Sequence, residues 1–225
     1  MSRYAIKFNK TGYIKYTSHL DLLRLFKRVM KRSGIKLKYS QGFNPHPKMS
    51  FAQPLSLGYE SIGEILEIET AENLKCDEIK EKAGSIMPSG IEITDVVKLP
   101  DTGKTLASLC YEAEYLIAIP AGDDFTSDIN SIISRYLDQD NIYVLKKQKK
   151  TKEMKKTDIK GKIRLMSGIL VNNNIIMTLI CDSGSDSNLS PELVISSFIQ
   201  FAGIECDRSA VEVMRKKLLF KGYDI

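Results

Sequence analysis

Ser18-His-Leu-Asp-Leu-Leu-Arg-Leu-Phe-Lys-Arg-Val-Met-Lys-Arg-Ser-Gly34 is an amphipathic helix with both ends marked. Ser18 followed three residues later by Asp21 is a capping pattern, and the acid suits the positive end of the helix dipole. Leu22, Leu23, Phe26, Val29 and Met30 form an apolar stripe, while Arg24, Lys27, Arg28 and Lys31 recur at i, i+3, i+4 and i+7 on another face. Gly34 ends it.

Working outward, Tyr4-Ala-Ile-Lys-Phe8 alternates, Gly12 interrupts and Tyr13-Ile-Lys-Tyr16 resumes, which reads as a strand or hairpin leading into the helix. Beyond Gly34, Ile35 to Tyr39 alternates as a strand, and Met49 to Leu55 reads as an extended segment broken by Pro54. Gly63-Glu-Ile-Leu-Glu-Ile-Glu69 is the clearest strand of this half, with Glu64, Glu67 and Glu69 expected outward. A helix from Cys76 to Ile86 and a strand from Ile91 to Val97 complete the order β-α-β-β-α-β of a ferredoxin-like unit. After a linker at Pro100 to Lys104 the order begins again. Strands at Tyr111–Ile119, Asn141–Leu145, Asn174–Cys181 and Val211–Phe220 alternate with helices at Ser127–Leu137 and Pro191–Phe201, the last opened by Ser190 and Pro191. The expected fold is therefore α+β, two tandem ferredoxin-like units over 1–100 and 105–225. In architecture it is similar to RNA endonucleases of the RAMP class.

Charge is segregated along the 225 residues. Net charge is +11 over residues 1–48, −12 over 49–145 and +6 over 146–225. A basic segment of this kind favours polyanionic partners. No window approaches the roughly 18 apolar residues of a membrane span, and the first ten residues alternate where a signal peptide would be apolar. A cytoplasmic location without a membrane partner is expected. Cys76, Cys110, Cys181 and Cys206 have no zinc or iron–sulfur spacing and read as free thiols.

The stretch Tyr39-Ser-Gln-Gly-Phe-Asn-Pro-His-Pro-Lys-Met-Ser-Phe51 holds His46, one of two histidines, between prolines that stiffen it. Gly42 permits a positive φ, Phe43 offers a stacking face, and Asn44 offers an amide. The loop is expected near His19. With Arg24, Lys27, Arg28 and Lys31 gripping phosphates and Lys48 also on the RNA, Phe43, Asn44 and His46 would read an exposed base. His19 and His46 are also residue types that can serve as base and acid in metal-independent RNA cleavage. Between Lys146 and Lys162 lie nine lysines, either a solvated loop or an arm for phosphates. No metal site is expected; P-loop, GxGxxG, GxSxG and HExxH are absent, and no cofactor is expected.

Tyr16-Thr-Ser-His-Leu-Asp21, Arg24, Arg28, the stretch Tyr39 to Ala52 and Pro54-Leu-Ser-Leu-Gly58 together resemble the bacterial radical-SAM-linked proteins. Lys156-Thr-Asp-Ile-Lys160 looks like that family's later motif, with Lys160 where an arginine is expected. The resemblance implies a partner role beside a B12-binding-type radical S-adenosylmethionine enzyme, since the chain lacks clustered cysteines of its own. Three readings stand: an accessory RNA-binding module, acting with such an enzyme on tRNA or rRNA; an endoribonuclease using His19 and His46; and a protein-interaction adaptor that binds no RNA.

Overall fold

The computed structural model describes residues 2–100, 103–122, 125–147 and 153–225. The protein is α+β, with a mixed eight-strand sheet, a two-strand ribbon and five helices among the described residues. Contacts divide it into two compact units, 1–111 with 215–225, and 112–214.

In the first unit, β1 (Ser2–Lys10) leads through a 3-10 turn at Gly12–Tyr16 to α1 (His19–Arg32), then β2 (Met49–Phe51), β3 (Glu60–Thr70), α2 (Cys76–Gly84) and β4 (Ile91–Leu99). A four-residue helix α3 (Leu106–Leu109) follows, and β10 (Glu212–Phe220) returns from the end of the chain. Strand order is β4-β1-β3-β10, with β2 also on β3; β1 is antiparallel to both neighbours. Tyr4, Ile6 and Phe8 of β1 and Leu66 and Ile68 of β3 meet Leu22, Phe26, Val29 and Met30 of α1 in one core. The Phe8 and Phe26 rings are 4.8 Å apart and Phe51 closes on Phe26 at 5.7 Å. Each such side chain contributes about 1.5–3 kcal/mol by leaving water.

The second unit holds β5 (Cys110–Pro120), α4 (Ile129–Leu137), the ribbon β6 (Tyr143–Lys147) and β7 (Met154–Asp158), β8 (Ile163–Val171), β9 (Asn174–Asp182), α5 (Pro191–Ala202) and the first residues of β10. Its strand order is β10-β5-β9-β8. Ile117, Ile119, Met177 and Leu179 are wholly buried in these strands, as are Val194, Ile195 and Phe198 on α5.

Several expectations need correction. Ile35 to Tyr39 contributes only isolated bridges, Leu37 to Thr70 and Tyr39 to Pro47. The strand expected at Asn141–Leu145 is β6, which among the described residues pairs with β7 alone. Its place in the sheet is taken by β8, where Gly168 lets α4 approach; a Cβ there would stand 3.0 Å from Ile133. Glu64 and Glu67 do not face outward: both are buried, Glu64 on Arg215 and Glu67 on Arg3. By contact, residues 215–225 fall with the first unit, where Arg215 is buried against Glu64. Part of the linker at Pro100–Lys104 and the middle of the lysine-rich segment, 148–152, lie outside the described residues.

Candidate nucleic-acid interface

Helix α1 positions most of the cations. The Asp21 amide donates to Ser18 Oγ at 3.2 Å and the Ser18 hydroxyl donates to Asp21 Oδ2 at 2.7 Å, so the helix start is capped as expected. The Ser18 hydroxyl and then the Arg24 guanidinium, 2.8 Å away, hold the Asp21 carboxyl below the usual carboxylate range. Successive helical residues turn by about 100°, which places Lys27, Lys31, Arg24, Arg28 and Arg32 on one arc of about 140°.

Three of these share a cleft. Arg24, Arg28 and Arg32, one turn apart, line a cleft of ≈ 460 Å³ with Thr17, Asp21, Leu25, Val29, Ile86 and Pro88. Apolar walls beside a row of guanidinium groups lower the local dielectric and strengthen attraction for an anion. Among the described residues, Asp21 forms an ion pair with Arg24 alone. Lys27 and Lys31 stand outside that lining, on the adjoining stripe. Arg32 was not among the expected phosphate contacts; its spacing of eight from Arg24 is the signal that could have found it.

The loop is placed elsewhere. Ser40 N donates to the His46 carbonyl at 2.8 Å, His46 N donates to Ser40 Oγ at 2.9 Å, and Gly42 takes a φ of +130°. Phe43, Asn44 and His46 are exposed on this closed loop. Lys48, expected to contact RNA, reaches both oxygens of Glu69 at 3.0 Å, with Lys38 on the same carboxylate at 3.5 Å.

The two histidines have separate neighbours. The exposed His19 packs edge-on against Phe51, ring centroids 5.2 Å apart. His46 lies five residues before Phe51, up to about 16 Å of extended chain away. Because β2 runs Met49 to Ile68 and Phe51 to Leu66, the loop falls at the Thr70 end of β3. That is where α1 finishes, whereas α1 begins beside Lys10 at the opposite end of β1, the amine of Lys10 reaching the Thr17 carbonyl. The expected proximity of loop and His19 is therefore corrected, and no hydrogen bond or ring contact joins the imidazoles among the described residues.

In the second unit the described part of the lysine-rich segment forms the ribbon. Lys156 Nζ sits 4.0 Å from the centroid of Tyr143, and Asp158 Oδ1 accepts from the amides of Ile142 and Lys160, 3.0 Å each. Lys160 donates to the Gln139 carbonyl at 2.6 Å. Among the described residues, no group of three or more His, Cys, Asp and Glu could hold a metal ion, and no helix is long and apolar enough to cross a membrane.

Comparison with known proteins gives fold and family. A chain of a crystal structure titled as a Cbf5-Nop10-Gar1 complex matches at a TM-score of 0.52 and 10% identity, over 98% of this chain and 50% of that one. This chain thus spans about half the length of that relative, and at this identity the likeness concerns the fold alone. A putative glycine cleavage system transcriptional repressor matches at a TM-score of 0.27 and 8% identity over 98% of each chain. A protein of unknown role from Galdieria sulphuraria matches at 0.27 and 10%, over 95% and 98%. No curated protein matches the sequence. The model of a family described as an uncharacterized protein conserved in bacteria matches residues 3–191, most of the chain, and the protein therefore belongs to that family, DUF2344.

Proposed function

We propose that this protein is an accessory RNA-binding module that works with a radical S-adenosylmethionine enzyme of the B12-binding type on tRNA or rRNA. The observation that carries the RNA reading is the row Arg24, Arg28 and Arg32 along one cleft. Arginine's planar fork suits phosphate, and a row with a helical repeat follows a strand better than it follows a compact anion. The fully exposed Phe43 beside Asn44 supports reading of an unpaired base. The partner enzyme rests on the sequence resemblance. We also read each unit as ferredoxin-like, supported by the arrangements β4-β1-β3-β2 and β10-β5-β9-β8.

The test is binding of the intact protein to total tRNA and rRNA across a salt series. Affinity should fall steeply with salt, and each of Arg24→Ala, Arg28→Ala and Arg32→Ala should lower the log–log slope by about 0.7. Binding that is absent, or indifferent to salt and to all three substitutions, would overturn the reading.

One observation favours a protein contact as well. Leu165, Ile169 and Val171 are exposed on β8, the outermost strand of the order β10-β5-β9-β8. Such a strand can accept another protein. Co-purification of the radical enzyme after nuclease treatment, lost in Ile169→Asp, is the outcome expected.

A further inference from the structure

The 3-10 turn ahead of α1 displays two largely exposed rings. Tyr13 is 95% and Tyr16 63% exposed, yet the backbone beneath them is tied down from several sides. Lys10, itself only 1% exposed, donates from Nζ to the carbonyls of Lys15 and Thr17, 3.1 Å each. Thr17 N closes on the Ile14 carbonyl at 2.9 Å, Gly58 N on that of Lys15 at 3.0 Å, and Thr11 N on that of Gly90 at 2.9 Å. The Gly12 amide donates to Glu60 Oε1 at 3.0 Å. Gly90, at a φ of +88°, has no room for a Cβ, which would stand 2.5 Å from the Thr11 carbonyl oxygen.

A buried lysine is costly, and spending one on a surface turn makes sense where the turn must hold its shape. What the turn presents is aromatic area. Lys15 adds a cation 5.6 Å from the Tyr16 ring centroid, and Thr17, the next residue, lines the arginine cleft. The turn that carries the rings therefore runs, through Thr17, directly into the cleft.

We propose that Tyr13 and Tyr16 form a stacking platform for unpaired nucleobases, so that the arginine cleft takes single-stranded RNA whose bases leave it toward this turn. The inference rests on the RNA-binding reading above. A base offers a π-face to any ring, whereas in a duplex those faces are stacked on one another. A rigid platform also spares the ordering cost that mobile side chains would pay on binding.

The experiment compares a short oligouridylate with an RNA duplex of equal length, using the full chain. Tyr13→Ala and Tyr16→Ala should each weaken binding of the single strand about tenfold without changing its salt slope. Duplex affinity should stay within twofold, and Tyr16→Phe should behave as the parent. Tyr13 is so exposed that its replacement leaves the fold intact, which thermal melting checks. Single-strand binding unaffected by both alanine variants, or equal losses for strand and duplex, overturns the platform but leaves the arginine cleft standing. If the parent protein binds neither RNA, both proposals fall.

Discussion

Arg215 and Glu64 form a bidentate pair, Nε to Oε1 at 2.8 Å and Nη2 to Oε2 at 2.6 Å, with side chains 2% and 3% exposed. The rest of the guanidinium is satisfied by the carbonyls of Pro54 and Gln53, at 3.1 and 3.0 Å. Removing one partner strands a buried charge. Glu64→Gln should therefore cost about 3–5 kcal/mol, and the double variant Arg215→Met with Glu64→Leu should recover much of it. Urea unfolding of the three proteins checks this; a Glu64→Gln loss under about 1 kcal/mol would contradict the buried pair.

Gly63 lies where β3 meets the returning strand. A Cβ there would be 2.3 Å from the Lys216 carbonyl oxygen and 2.9 Å from the Lys217 Cα, both backbone atoms that cannot swing aside. Gly63→Ala should lose about 2–3 kcal/mol by overpacking. Gly161→Ala, with nothing within 4 Å, is the matched control and should change the melting temperature little.

Burial pushes the Cys181 thiol from 9.0 up to about 12, helped by the neighbouring Asp182 and Glu112 carboxylates, and burial raises Cys110 to about 11. For such a group the folded value exceeds the unfolded one. Its contribution to stability is complete below about pH 9 and is lost as pH climbs toward the folded value. Cys181→Ala should make the fall in stability between about pH 9 and 11 shallower, by up to about 1.4 kcal/mol per pH unit. Alkylation of the native protein at neutral pH should spare Cys110 and Cys181 while labelling Cys76 and Cys206, read by mass spectrometry.

Among the described residues, His19 on Phe51 and His46 on the Ser40 loop share no partner. Their alanine variants should then be additive in RNA affinity, with a coupling energy below about 0.5 kcal/mol. Coupling well above 1 kcal/mol, or RNA cleavage in EDTA that either variant abolishes, would restore the two imidazoles as one catalytic unit.

Elements with an unbroken local pattern were legible in the sequence: α1 with its Ser18 cap, β3, β9 and α5. What escaped depended on distant residues. Strand β8 reads Ile-Arg-Leu-Met-Ser-Gly-Ile-Leu-Val, and Arg164, Ser167 and Gly168 obscure its alternation. Arg164 is there because Asp182 on β9 takes its guanidinium at 2.6 Å. Glu64 and Glu67 looked like solvent-facing acids because their partners, Arg215 and Arg3, lie 151 and 64 positions away. The cationic face of α1 was legible in outline, yet Arg32 at the helix end extends it, and Lys48 carries a charge that Glu69 already occupies.

The return of residues 215–225 to the first unit sets an order of events for a chain emerging from the ribosome. Everything around Glu64 is synthesised long before the arginine that neutralises it, 151 residues later. Until then the nascent first unit holds an acid with no partner for it and carbonyls at Gln53 and Pro54 with no donor from Arg215. A chain halted before residue 215 could not complete that interior, and closing so long a loop places this protein among slow, non-local folders.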